Sequence, residues 1–155
     1  KFFVLPHLKK TYIDGAAFMH KKNPVIVYTG RYDRVDNFWF TILHEAGHVI
    51  KHLKIDGDLF VDDLSKLNGN KEKQADDYSK EMLKIEYILK KFDEDFNGRL
   101  SWIKELSDEI QVSPAVVVGS LQKAEKLNYR SKVLSQIKEN VLSRISMEEN
   151  IRCVI

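Results

Sequence analysis

Asp36-Asn37-Phe38-Trp39-Phe40-Thr41-Ile42-Leu43-His44-Glu45-Ala46-Gly47-His48, continuing to Leu53, is the stretch on which the reading of this chain turns. It has helical periodicity: Trp39, Ile42, Leu43, Ala46, Val49, Ile50 and Leu53 form an apolar stripe. Asp36 is the expected N-cap. His44 and His48 stand at i and i+4, so their side chains share one helical face, off the stripe. Two imidazoles so placed can bind one Zn²⁺. Glu45, beside the first, can take a proton from water at the metal. Gly47 costs about 1 kcal/mol inside a helix, which points to close approach by another backbone or a ligand. The bland alternative is an amphipathic helix carrying two surface histidines.

A catalytic zinc site needs a third protein ligand. Glu72 is the first candidate, at the head of a helical run from Lys71 to Phe92. Ala75, Tyr78, Met82, Ile85, Leu89 and Phe92 would form its buried seam. Glu72 and Asp76 are a turn apart and flank that seam together. Glu72 can bind metal while Asp76 accepts a hydrogen bond from the free ring N–H of a ligand histidine. Asp76, Asp77, Asp62 and Asp63 compete with Glu72 as ligand, and a solvated acidic pair is the plain alternative.

Outward from these helices the pattern is mixed. Phe2–Leu5, Ala16–Met19 and Val25–Tyr28 read as strands, the last central because Val25, Ile26 and Val27 are β-branched and continuous. His20 to Pro24 is a turn, and Asn68-Gly69-Asn70 is another. Trp102–Ile110 reads as a helix with Ser101 as N-cap. Ser113-Pro114 starts the next run, Ala115–Leu127. This pair superficially resembles a helix-turn-helix, but Val116-Val117-Val118 suggests burial over base reading. Ser131–Arg144 is a last helix. The expected fold class is α+β, a mainly helical zincin-like domain with a small three-stranded sheet. It would span residues 1–145, with 146–155 a frayed or partner-bound tail.

Composition sets further bounds. In 155 residues, 43% are hydrophobic and 31% charged, an ordinary balance for one domain. A net charge of +2 gives no electrostatic case for nucleic-acid binding. Lys9-Lys10 and Lys21-Lys22 read as solvated loop residues. The single cysteine, Cys153, excludes a disulfide within the chain and fits a cytoplasmic setting. Neither a signal peptide nor an apolar run of membrane-spanning length is recognised. The chain opens at Lys1 without methionine and reads as a piece lacking an N-terminal region. His7, His20 and His52 read as surface histidines, His52 with a distant supporting role as the alternative. Tyr28, Tyr32 and Tyr78 are candidates for an oxyanion donor. Arg31 and Arg34 either line a cleft or sit on a solvated turn.

The block Phe40-Thr41-Ile42-Leu43-His44-Glu45-Ala46-Gly47-His48 resembles the "FTLxHExGH" block of ImmA/IrrE-type metallopeptidases. Glu72-Lys73-Gln74-Ala75-Asp76-Asp77-Tyr78 resembles their "E-x-x-A-[ND]-x-[FY]" block. Thr11–Phe18, Asn23–Val27, Phe60–Asp63 and Val116–Gln122 are similar to peptidase domains that end helix-turn-helix regulators, including HigA-type antitoxin proteins. The resemblance covers most of residues 2–130. It implies that Glu72 joins His44 and His48 as third zinc ligand, with Glu45 as catalytic base. It also implies an intracellular protein substrate, such as a repressor or an antitoxin partner. The alternative in this family is a regulatory or toxin-binding domain with little turnover, touching DNA only through a separate helix-turn-helix domain. Ser120 departs from the family's Arg, and Ser79 from its more frequent Ala.

Overall fold

The computed structural model describes residues 1–7, 10–63, 69–130, 137 and 139–148. The fold class is α+β and mainly helical, with one small sheet. The strands are β1 (Phe2–Val4), β2 (Ile13–His20), β3 (Asn23–Tyr28) and β4 (Leu59–Asp63). Their order is β1-β3-β2-β4. β2 and β3 are antiparallel, β1 runs parallel to β3, and β4 is antiparallel to β2. The sheet therefore has four strands where three were expected. Leu59-Phe60-Val61 is too short an apolar run to announce itself as a strand, and it becomes one by pairing with Ala16, Ala17 and Phe18.

The turn between β2 and β3 puts both Lys21 (φ 49) and Lys22 (φ 63) in the left-handed region. Two successive positive φ values are what a two-residue type I′ hairpin requires, because its twist matches that of the flanking strands. Asn23 helps by donating from Nδ2 to the Lys21 carbonyl at 3.0 Å. β2 is longer than the sequence suggests. The expected strand began at Ala16, but Asp14-Gly15 also lies within it, at an irregularity in the pairing with β4 between Ile13 and Ala16. A glycine inside a strand often marks such a bulge or the close approach of another group.

Helix α1 (Val35–Lys51) lies against β2 and β3, and α2 (Gly69–Met82) packs along it. The expected N-cap Asp36 is instead in the first turn. Arg34 holds the cap position with extended backbone, and Asp36 takes the Arg34 guanidinium in an ion pair, Nε to Oδ1 at 3.0 Å. Gly69-Asn70, expected in a turn, already belongs to α2. The single run expected from Lys71 to Phe92 is broken: Lys84 adopts φ 54, ψ 36 and a new helix, α3 (Ile85–Asp95), begins after it. The buried positions before the break are Ala75, Ser79 and Leu83, while Met82 is exposed. After the break Ile88 turns into a separate core, so a straight helix could not have buried both seams.

That second core is helical. Ile88 packs with Trp102, Ile103, Leu106, Ile110, Val117, Val118 and Leu121. These come from α4 (Leu100–Ile110) and α5 (Pro114–Lys123). Ser113 caps α5, accepting from Ala115 N at 3.2 Å, with Pro114 at the first helical position. Ser101 is not a cap; α4 starts after Arg99. Val116, Val117 and Val118 are all buried, so they offer no surface to a nucleic acid. α5 stops at Lys123, short of Leu127. The last described helix, α6 (Leu142–Glu148), is fixed by Asp33, whose Oδ1 accepts from Val141 N at 2.7 Å and Leu142 N at 2.8 Å. Half of the helix expected over Ser131–Arg144, most of the tail and Cys153 fall outside the described residues.

Candidate metal centre

The inward face of α1 is the polar one. Thr41, His44, Glu45, Gly47 and His48 are its buried residues, together with Val35. Trp39 is 44% exposed and Ile50 62% exposed, so the apolar stripe is not what anchors the helix. Polar side chains at the middle of a fold are costly unless they are partnered, and such placement is characteristic of a working site.

Two glycines make this arrangement possible. A Cβ on Gly47 would stand 3.0 Å from Ala75 Cα, so α1 and α2 touch backbone to backbone at this crossing. The close approach foreseen for Gly47 is made by α2. It brings the first two turns of α2 against the histidine face of α1. A Cβ on Gly15 would stand 2.6 Å from Glu45 Oε1, so β2 lies directly over the Glu45 carboxylate. Glu45 itself is 0% exposed.

At the α1–α2 crossing, His44, His48 and Glu72 each offer a ligand atom, all within 4.8 Å of one another. His44 Nε2 is 3.1 Å from Glu72 Oε2 and 3.1 Å from His48 Nε2, and His48 Nε2 is 3.4 Å from Glu72 Oε2. Ligands about 2.0–2.1 Å from a tetrahedral zinc stand roughly 3.3–3.4 Å apart, so the three atoms already have nearly the spacing of one tetrahedral face. Two imidazoles and a carboxylate are also the donor set of hydrolytic zinc enzymes, leaving a fourth position open. The residues present therefore fit a zinc ion. Burial lowers the His48 imidazole to about 4; the Glu72 carboxylate opposes this, while His44 and His52 add to it. His48 is thus neutral at pH 7 and keeps a lone pair for a metal.

Asp76 stands one turn beyond Glu72. His44 Nδ1–H donates to its Oδ1 at 2.9 Å, and in a neutral imidazole this places the lone pair on His44 Nε2, the atom turned toward the trio. That hydrogen bond holds the Asp76 carboxyl below the usual carboxylate range. The other acidic candidates are elsewhere: Asp77 pairs with Lys73 at 3.0 Å on the exposed side of α2. The side chains of Asp62 and Asp63 lie outside the described residues.

Several neighbours complete the centre, among them His52, for which a surface position was expected and a distant supporting role was the alternative. His52 Nδ1 lies 3.0 Å from His48 Nδ1 rather than at the surface. Phe60 stacks on the His48 ring, with centroids 4.7 Å apart and planes at 14°. The single Ser79 hydroxyl proton lies between two acceptors, Ala75 O at 3.1 Å and Phe40 O at 3.4 Å, so the hydroxyl can reach from α2 to α1 where alanine could not. Phe60 sits in a block that resembles the family, but only strand pairing brings it over His48. Of the tyrosines, Tyr28 is buried and donates its hydroxyl to Tyr32 O at 2.7 Å, and Tyr78 packs under Lys51. Arg31 binds Asp14 at 3.2 Å and covers the Tyr12 and Tyr32 rings.

A groove of ≈ 610 Å³ opens beside the centre, with Phe40, Lys80, Leu83, Val116, Ser120 and Lys123 among its walls. Phe40 is one turn before His44, their ring centroids 6.4 Å apart, and the Lys123 ammonium sits 4.4 Å over the Phe40 ring. Ser120, the position where the resemblance leads to an expected Arg, is among the residues that line this groove.

Among the described residues no helix is long and apolar enough to cross a membrane. The family model described as Peptidase_M78, IrrE N-terminal-like domain, matches residues 4–121. No curated protein matches the chain.

Proposed function

Because the chain belongs to the IrrE N-terminal-like peptidase family, we propose that it is a zinc-dependent metallo-endopeptidase of the cytoplasm that cuts a regulatory protein, a repressor or an antitoxin-like partner. The observation that carries this reading is the face of three ligand atoms offered by His44, His48 and Glu72, with separations of 3.1–3.4 Å.

In this reading His44, His48 and Glu72 hold the ion. When bound, zinc supplies Lewis-acid polarisation of the scissile carbonyl and makes water a nucleophile at neutral pH. Glu45 takes a proton from the attacking water and returns it to the leaving amine. β2 at Gly15 confines the Glu45 carboxylate on one side, which limits its rotamers. Asp76 fixes the tautomer and direction of His44. The groove, whose wall at Phe40 is one helical turn from His44, offers a polypeptide apolar walls and the two ammonium groups of Lys80 and Lys123.

A second reading is a zinc-bearing regulatory or toxin-binding domain of an antitoxin-like transcription regulator, with little or no turnover. The full burial of Glu45 favours it to this extent: a base with no exposed surface suits a site that waits for an activating signal. Glu45→Gln separates the two. Hydrolysis needs the carboxylate, so cleavage of the regulatory substrate should fall by about 10²–10⁴-fold while zinc content and fold are kept. Unchanged cleavage in that variant overturns the peptidase reading.

A further inference from the structure

We propose that His52 and Gln74 are positioning residues that set the tautomer of His48, turning its Nε2 lone pair toward the trio. The inference rests on the metal reading given above. It starts from Asn70, whose Oδ1 accepts from Gln74 Nε2 at 3.4 Å. This orients the Gln74 amide so that Oε1 faces His52 Nε2, 3.1 Å away. A carbonyl oxygen only accepts, so His52 Nε2 carries the proton. A neutral imidazole has one N–H, and His52 Nδ1 is therefore a lone pair. That lone pair stands 3.0 Å from His48 Nδ1, which must donate to it. With its proton on Nδ1, His48 has an unprotonated Nε2, the atom 3.1 Å from His44 Nε2 and 3.4 Å from Glu72 Oε2.

The two ligand histidines are thus set by different means. His44 donates directly to a carboxylate, Asp76. His48 donates to a second histidine, which in turn donates to an amide. The His48 route carries no net charge, which suits its more buried position: His48 is 1% exposed. Phe60 covers both rings of the relay, 4.7 Å from His48 and 5.5 Å from His52, and shields their contact from water. Gln74 and His52 meet because α2 crosses α1 at Gly47.

The test uses zinc affinity, by competition with a chelator, together with long-range ¹H–¹⁵N NMR of the histidines in the metal-free protein. His52→Phe keeps the ring but removes its nitrogen lone pair. Gln74→Leu removes the acceptor at a half-buried position of α2, and Gln74→Glu retains an acceptor. Metal-free wild type should show His48 protonated on Nδ1. His52→Phe and Gln74→Leu should lose that preference and bind zinc about 10–100-fold more weakly, with Gln74→Glu near wild type. His48 protonated on Nε2 in wild type, or unchanged zinc affinity in both disruptive variants, overturns the relay. A wild-type protein that takes up no zinc overturns the metal reading instead, and the tautomer seen without metal still decides the relay.

Discussion

The backbone of Gly15 lies so close to the Glu45 carboxylate that a Cβ on the glycine would stand 2.6 Å from Oε1 and 2.8 Å from Thr41 Cγ2. Neither neighbour is on an outer surface: Thr41 and Glu45 are both buried on the sheet side of α1. Gly15→Ala must therefore move the carboxylate or the strand. On the peptidase reading proposed above, turnover should fall about 10²-fold, the usual cost of misplacing a reacting group by an ångström, while zinc affinity is kept. Kinetics with the protein substrate beside zinc content checks this; loss of zinc in Gly15→Ala would place the strain at the histidines instead.

Gly47→Ala tests the helix crossing. Alanine should gain about 1 kcal/mol of helix propensity, but its Cβ meets Ala75 Cα at 3.0 Å and Ala75 O at 3.3 Å. Both are backbone atoms, and overpacking of this kind costs about 1–3 kcal/mol. The variant should have a lower Tm than wild type and weaker zinc binding, because Glu72 moves with α2. Thermal unfolding with and without zinc measures both effects, and a higher Tm would show that the crossing has slack.

Asp76→Ala removes the acceptor for His44 Nδ1–H. Zinc affinity should fall about 10–100-fold, while Asp76→Asn, which keeps an oxygen acceptor, should lose less. Chelator competition on the two variants beside wild type gives the order, and a wild-type affinity in Asp76→Ala would mean that the Asp76 contact contributes nothing.

Tyr28 gives the protein an alkaline limit apart from the metal centre. Burial, the main cause, raises its phenol from 10.0 to about 12. The unfolded chain loses the proton near 10 and the folded chain near 12, so the neutral phenol's contribution is complete below pH 10. It is lost as pH rises toward 12. Tyr28→Phe should cost about 1 kcal/mol at pH 8 through the lost hydrogen bond to Tyr32 O. Its deficit should then shrink between pH 10 and 12. Urea unfolding of both proteins across that range reads the difference, and a constant deficit would place Tyr28's ionisation outside it.

Much of this was legible because it is local. Ser113-Pro114 starts α5 through a cap between near neighbours, and Val25–Tyr28 reads as a strand from its β-branched run. Other expectations failed where tertiary contacts outrank propensity. The apolar stripe of α1 did not mark its buried side, because the sheet and α2 close over His44, Glu45 and His48 and leave Trp39 and Ile50 partly in solvent. Lys84 in the left-handed region ended a helix that periodicity carried through, because Ile88 has its own core to join. β4 became a strand only by pairing with β2.

The sequence by itself determined which groups α1 and α2 can offer: His44 and His48 on one face, Glu45 between them, and Glu72 and Asp76 a turn apart. Helical geometry makes that much a matter of spacing. Only the tertiary structure decided which face of α2 meets the histidines, because the α1–α2 crossing at Gly47 and Ala75 turns Glu72 toward them and leaves Asp77 on the exposed side. It also decided what stands behind each side chain: Asp76 behind His44, His52 and Gln74 behind His48, Phe60 on its ring and Gly15 over Glu45. Those contacts join residues of separate elements, and their distances are set by how closely two backbones pack, which no periodicity along the chain records.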